Sequence, residues 1–387
     1  MADAAVRPQL FTIPGHRAFA DSLVAGLRRR VGDDPMALAR ATLILPNNRA
    51  RRAVTDAFVR ASGGALLLPR LVALGDPEID EAAGSAIDTA AGTQPPPPAI
   101  GAYQRRLILA RLVAEERVRA GQSVGAAEAV RLAGELARVR DQLLVEEVDP
   151  QRLRELDIGP ELSEHWKRAL ESLSVLLDRW PLELHRLGRI DAADRRRLLL
   201  DGMVERWRAA SPAGLVCAAG VTDSAPAVAR LLRCIAELPR GMVVFADLDL
   251  AMDADEWNAL GPHQPDPVTG LRHRAIEVHP QFHLKLMLDR MSVGREEVAT
   301  WRETGGAGSD AARGRAVANA LAPAEFTGKW TALGAADRRL AGVEAAEFAT
   351  PAEEAQGIAL ALRQALEVPG RTAALVTPDR GLARRVA

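Results

Sequence analysis

The chain has 387 residues, 48% of them hydrophobic and 26% charged, with a formal net charge of −1. That is globular composition with apolar material for two or three domains. It excludes a global basic field and, since no apolar run approaches roughly 18 residues, a membrane-spanning helix.

In chain order, Gln9 to Ile13 (QLFTI) reads as a strand stopped by Pro14-Gly15, and HRAFADSLVAGLRRRVG reads as a helix closed by Gly32. A second pair follows: the strand ATLIL, then the helix RARRAVTDAFVRASGG. ALLLPRLVAL reads as a third strand. Alternating strands and helices imply βαβ crossovers and a parallel sheet. Residues 75 to 100 are acidic, small and Pro-rich, and read as a surface link. From Gly101 to about Arg208 the apolar residues recur at helical spacing, and Asp191 is expected to open the last of these helices. Sheet signals return in GLVCAAGV and GMVVFADLDL, separated by the helix APAVARLLRCIAEL. Gly305 to Gly314 reads as a loop. VEAAEFAT, a helix capped by Thr350 with Pro351 behind it, and a strand AALVTP then suggest the start of a second α/β domain. The expected division is 1–92 with 211–340 as a discontinuous α/β domain, 93–210 as a helical insertion, and 341–387 as the beginning of a second α/β domain in a longer protein.

The chemistry-bearing stretch is LILPNNRARR. An apolar strand stops at Pro46, and Asn47, Asn48, Arg49, Arg51 and Arg52 open the following helix. Asn and Arg groups at a helix N-terminus suit a phosphate backbone. The reading against it is an ordinary solvated helix face. TPDRGLARR repeats the pattern, with Arg380 and Arg384 in the corresponding helix. The only lysines are Lys167, Lys285 and Lys329, so the basic residues are almost all Arg, whose fork matches phosphate.

Other chemistries fit poorly. A phosphate-cradling loop for ATP needs a Gly-rich turn followed by Lys and Ser or Thr. At the first strand–helix junction stands TIPGHRAF, where Pro14 removes a donor, leaving only His16 and Arg17 as weak nucleotide contacts. TGKW at 327–330 has Trp330 where a hydroxyl is required. Asp247, Asp249, Asp253, Asp255 and Glu256 read as a solvated strand end. His279 and His283 have the spacing of a helical zinc pair but lack a third ligand. Cys217 and Cys234 read as core packing in a reduced, cytoplasmic protein, and no signal-peptide core is evident at the N-terminus. With one Tyr and 4% aromatics, a base-stacking platform is not expected.

FTIPGHRAFADSLVAGL, LILPNNRARRAVTDAFVRASGGALLLPRLVALGD, AGVTDSAPAVARLLRCIAELPRGMVVFADLDL, HPQFHLKLMLDRM and TAALVTPDRGLARRVA together resemble the alphaproteobacterial type of the AddB family. AddB is the second subunit of the AddAB helicase–nuclease of double-strand break repair. The resemblance implies a superfamily 1 helicase-like fold, P-loop NTPase-like but degenerate. LILPNNRARRAVTDAF would stand at the position of a motif touching single-stranded DNA. TIPGHRAF would stand at the ATP-loop position and departs from it. AAGVTDSAP would stand near the Asp-Glu box, where Asp223 is alone. The implied partners are DNA and the motor subunit AddA. The implied iron–sulfur cluster and Mg belong to a C-terminal nuclease domain whose motifs are not in these residues. Two alternatives stay open: a scaffold that docks AddA without touching DNA, and an active nucleotide hydrolase with an unusual loop.

Overall fold

The computed structural model describes residues 8–32, 34–74, 96–155, 173 and 175–387. Most of the link expected over 75–100, and residues 156–172 and 174 of the expected helical region, fall outside them. The framework is α/β, built on a six-stranded, all-parallel sheet. Its strands are β1 (Leu10–Ile13), β2 (Thr42–Leu45), β3 (Arg70–Ala73), β4 (Val216–Ala219), β5 (Gly241–Ala246) and β6 (Ala299–Thr300). They lie in the order β3-β2-β4-β5-β1-β6.

The central strands are apolar along their whole length because both faces are covered. Successive side chains serve opposite faces. Leu43, Leu45, Cys217, Val244 and Ile13 join one core, while Ile44, Val216, Val243, Phe245 and Leu10 join the other. The first face is covered by α1 (Phe19–Val31) and α3 (Asn48–Ser62) through Leu23, Val24, Leu27, Val54 and Phe58. A short helix α2 (Pro35–Ala39) precedes β2.

The helical segment begins with α4 (Ala102–Arg119), α5 (Ala126–Val145) and α6 (Trp180–Leu187). These have their own core around Leu109, Leu112 and Trp180. Helix α7 (Ala192–Ala209) differs. It packs on α8 (Pro226–Glu237), and Leu200, Met203, Val204 and Trp207 enter the second sheet-face core. The segment placed in the insertion by its helical periodicity thus ends as a layer of the α/β body. Asp191 holds the N-cap position of α7 but its side chain caps nothing. It is buried, accepting from Arg140 Nε at 2.6 Å and lying 3.2 Å from both Arg105 Nε and Trp180 Nε1. Arg230 to Glu147 (2.6 Å) and Arg290 to Glu146 (2.5 Å) fasten the end of α5 to α8 and, past the short helix α9 (Ala254–Ala259), to α10 (Phe282–Met291).

Two expected strands differ. The third is four residues long, because Pro69 offers no N–H and Leu66 to Leu68 stay outside the ladder. AALVTP forms no strand; among the described residues it has no neighbour to complete its hydrogen bonds, and Val376 stands 93% exposed. It lies between α12 (Pro351–Leu366), capped by Thr350 Oγ1 accepting from Glu353 N–H at 3.2 Å, and α13 (Arg380–Val386). The loop expected over 305–314 gives way at Asp310 to α11 (Ala311–Ala320).

Trp301, just past β6, is fully buried. Its indole N–H donates to Ser22 O at 2.9 Å, its backbone N–H donates to Thr12 O at 2.8 Å, and the Arg30 guanidinium lies 3.9 Å from its ring centroid. A Cβ on Gly26 would stand 2.2 Å from the ring, so α1 needs glycine there to receive it. Trp301→Ala should cost about 3–5 kcal/mol in urea unfolding. A loss below about 1 kcal/mol would show that the edge strand and α1 are held by other contacts.

Candidate nucleic-acid interface

Topology selects two places for a ligand. The steps β1 to β2 to β3 run one way across the sheet with α1 and α3 on one face. The steps β3 to β4, β4 to β5 and β5 to β6 run the other way, with α7, α8 and α10 on the opposite face. Right-handed crossovers require this change of face with direction. Neighbouring strands whose chains leave to opposite faces open a crevice at their C-terminal ends, where open α/β sheets take ligands. The pairs are β2 with β4 and β1 with β5.

At the first crevice stands the predicted basic loop. Pro46 ends β2, and Asn47 caps α3, its Oδ1 accepting from Ala50 N–H at 2.9 Å. Asn47 therefore shapes the helix entry. Asn48, half-buried, is the first helical residue. Arg49 and Arg52, three apart and on one face, are exposed, and Arg51 is half-buried. Below them Val54, Ala57 and Phe58 fix the helix on the sheet.

The charge arrangement is unusual. The first turn of α3 carries no acidic residue, so Arg49 and Arg51 crowd the positive end of the helix dipole, with Arg52 just beyond. A cation in that turn is disfavoured by about 0.3–1 kcal/mol at the surface. Asp21 in α1, and Glu353 and Glu354 in α12, show the ordinary opposite choice. Among the described residues Arg49, Arg51 and Arg52 form no ion pair, whereas Arg60, at the other end of the same helix, meets Asp21 at 2.7 Å. Such a turn gains most when an external anion is placed on it.

In the C-terminal region only the helix start recurs, since no strand precedes it among the described residues. Asp379 caps α13 by accepting from Gly381 N–H at 2.7 Å, and Arg380 and Arg384 are exposed. No hydrogen bond or ion pair joins this turn to the α3 loop among the described residues.

The β1–β5 crevice differs. Arg17, expected as a weak nucleotide contact, donates instead to Trp301 O at 2.7 Å. His16 O accepts from Ser309 N–H at 2.6 Å. Gly15 N–H donates to Asp247 Oδ1 at 2.8 Å. The Asp247 carboxyl is pushed above its ordinary value by partial desolvation, against the opposing pull of that N–H, although one side of it faces solvent.

Beside it, at the ends of β4 and β5, a cleft of about 540 Å³ is lined by Thr222, Asp223, Ser224, Asp247, Gln281 and His283. Its only charged linings are carboxylates, so it disfavours phosphate. Asp223 meets Arg196 at 3.1 Å and accepts from Ala225 N–H at 3.0 Å.

His279 and His283 do not share a helix, since α10 starts at Phe282. His279 is buried, and desolvation holds its pKa below the ordinary histidine value. Glu256 is not part of a solvated strand end. It is 1% exposed and meets Lys329 at 2.7 Å. Nothing in the letters TGKW signalled that pairing, because the two residues are brought together only by the tertiary fold.

Among the described residues no group of three His, Cys, Asp or Glu could hold a metal ion. Cys217 and Cys234 lie on opposite faces of the sheet, and these residues do not fit an iron–sulfur cluster. No described helix is long and apolar enough to cross a membrane. No protein-family model matches the chain, and a search of curated proteins returns no match.

Burial pushes the Cys217 thiol up to about 12 and raises that of Cys234. Neither supplies a thiolate at pH 8. A disulfide reagent should therefore titrate no thiol in the native protein and two in urea; rapid native reaction would contradict this burial.

Proposed function

We propose that this chain is a helicase-like α/β protein that grips a DNA strand through the loop after β2 and does not turn over ATP. In this reading it corresponds to the N-terminal region of an AddB subunit, works beside the motor subunit AddA in double-strand break processing, and leaves nuclease chemistry to another domain. The observation that carries it is the turn Asn47 to Arg52, with three arginines at a helix N-terminus at a sheet switch point and, among the described residues, no ion pair to them. Support for a silent ATP position comes from TIPGHRAF, whose Arg17 and Gly15 are bonded within the chain. The helicase-like reading is further supported by the parallel sheet with its strand ends converging on one edge.

A second reading has its own observation. Tyr103 and Leu107, four apart on α4, are 88% and 66% exposed, which suits docking of a protein partner without DNA contact.

Fluorescence anisotropy with a tailed duplex separates the two. Arg49→Ala with Arg52→Ala should weaken binding about tenfold or more at low salt and reduce the slope of log K against log salt by roughly 1.4–2. Unchanged affinity and slope would remove the loop from the DNA path. Wild-type protein that binds no duplex but loses AddA on Tyr103→Ser with Leu107→Ser would favour the docking reading.

A further inference from the structure

Where open α/β sheets offer backbone N–H groups to anions, this chain places its own carboxylate. Asp247 ends β5, with Oδ1 on Gly15 N–H at 2.8 Å. A Cβ on Gly15 would stand 2.6 Å from the Asp247 carboxyl carbon and 2.7 Å from each of its oxygens. The approach is therefore possible only with glycine at position 15, the residue that would otherwise present its N–H to a ligand.

The backbone is bent to present this group. Asp247 has φ 56, in the left-handed region that residues with a Cβ seldom enter. The conformation is held on both sides. Asp247 N–H donates to Ile13 O at 2.9 Å, Asp247 O accepts from Gln281 Nε2 at 2.8 Å, and Leu248 N–H donates to Thr12 Oγ1 at 3.0 Å. A strained residue so fully determined by its neighbours marks a position with a task.

A second segment closes the other side. From Trp301 to Ser309 the chain crosses the start of α1. Trp301 O takes the Arg17 guanidinium, Gly305 N–H reaches Ser22 Oγ at 3.3 Å, and Ser309 N–H takes His16 O. The cation and the carbonyl nearest the crevice are thus both engaged within the chain.

We infer that Asp247 is a built-in anion that closes the β1–β5 crevice to phosphate-bearing ligands, nucleoside triphosphates and pyrophosphate alike. It holds the Gly15 N–H that a phosphate oxygen would need and repels a second negative charge from the same place. The loop after β2 then remains the phosphate-accepting switch point of this sheet. The inference deepens the proposed silence of the ATP position and does not depend on DNA contact.

Isothermal titration with magnesium-ATP and, separately, magnesium pyrophosphate tests it on the full chain. Asp247→Asn keeps the shape and an acceptor while removing the charge, and Asp247→Gly removes the side chain. Asn and Gly are the residues that best tolerate this φ, so both variants should fold, with melting temperature as the check. The wild type should give no binding heat at millimolar ligand. Asp247→Gly, which frees the Gly15 N–H and removes the charge, should bind both ligands at least tenfold more tightly than the wild-type limit, and Asp247→Asn, which removes the charge alone, should gain less, with tailed-duplex affinity unchanged in both. Wild-type binding of either ligand, or folded variants no better than wild type, would overturn the inference. Loss of duplex affinity in the wild type alone would strike the DNA reading and leave this one standing.

Discussion

The constraint on which the rest of the structure depends is the burial of a parallel sheet on both faces. Leu43, Ile44, Leu45, Val216, Cys217 and Val244 are all essentially inaccessible, four of them facing one helical layer and two the other. A sheet so covered can act only at its strand ends, and right-handed crossovers decide which ends open. The reversal between β3 and β4 therefore does more than return the chain to the middle of the sheet. It creates two crevices, and the sequence treats them oppositely. One carries three arginines that form no ion pair among the described residues, and the other carries Asp247 on a backbone N–H.

That opposition gives the functional reading its physical content. Arginine is common across the molecule, but in the helical layers it is largely engaged, as in Arg105 with Asp141 and Asp191, Arg140 with Asp191, and Arg230 with Glu147 and Asp201. Those pairs hold α4, α5, α7 and α8 together and offer little to a ligand. Among the described residues the turn at Arg49 to Arg52 forms no such pair, and it sits on the unfavourable end of its helix dipole. A net charge near zero is compatible with nucleic-acid contact when the positive potential is concentrated in one turn.

Much of this was legible in the sequence because it is local. Short apolar runs bounded by Pro14, Pro46 and Gly32 mark the strands and helices, and Asn47 marks the start of α3. The basic loop was legible as residue types, and Asn47 in it also caps α3. What escaped depends on long-range pairing. Asp191 looks like a cap and is a buried counter-ion for arginines 51 and 86 residues away. Glu256 looks solvated and is paired with Lys329. AALVTP has strand composition, yet composition alone cannot supply the neighbouring strand it requires. Periodicity likewise could not say that α7 belongs to the sheet, since its apolar stripe reads the same whichever core it enters.

The central claim is that phosphate sits on the N-terminal turn of α3. A structure of the protein bound to a tailed duplex or single-stranded oligonucleotide tests it most directly. The account predicts a phosphate oxygen about 2.8 Å from a guanidinium nitrogen of Arg49 or Arg52. A nucleic-acid path that leaves both arginines in solvent, or that runs through the β1–β5 crevice past Asp247, would contradict it.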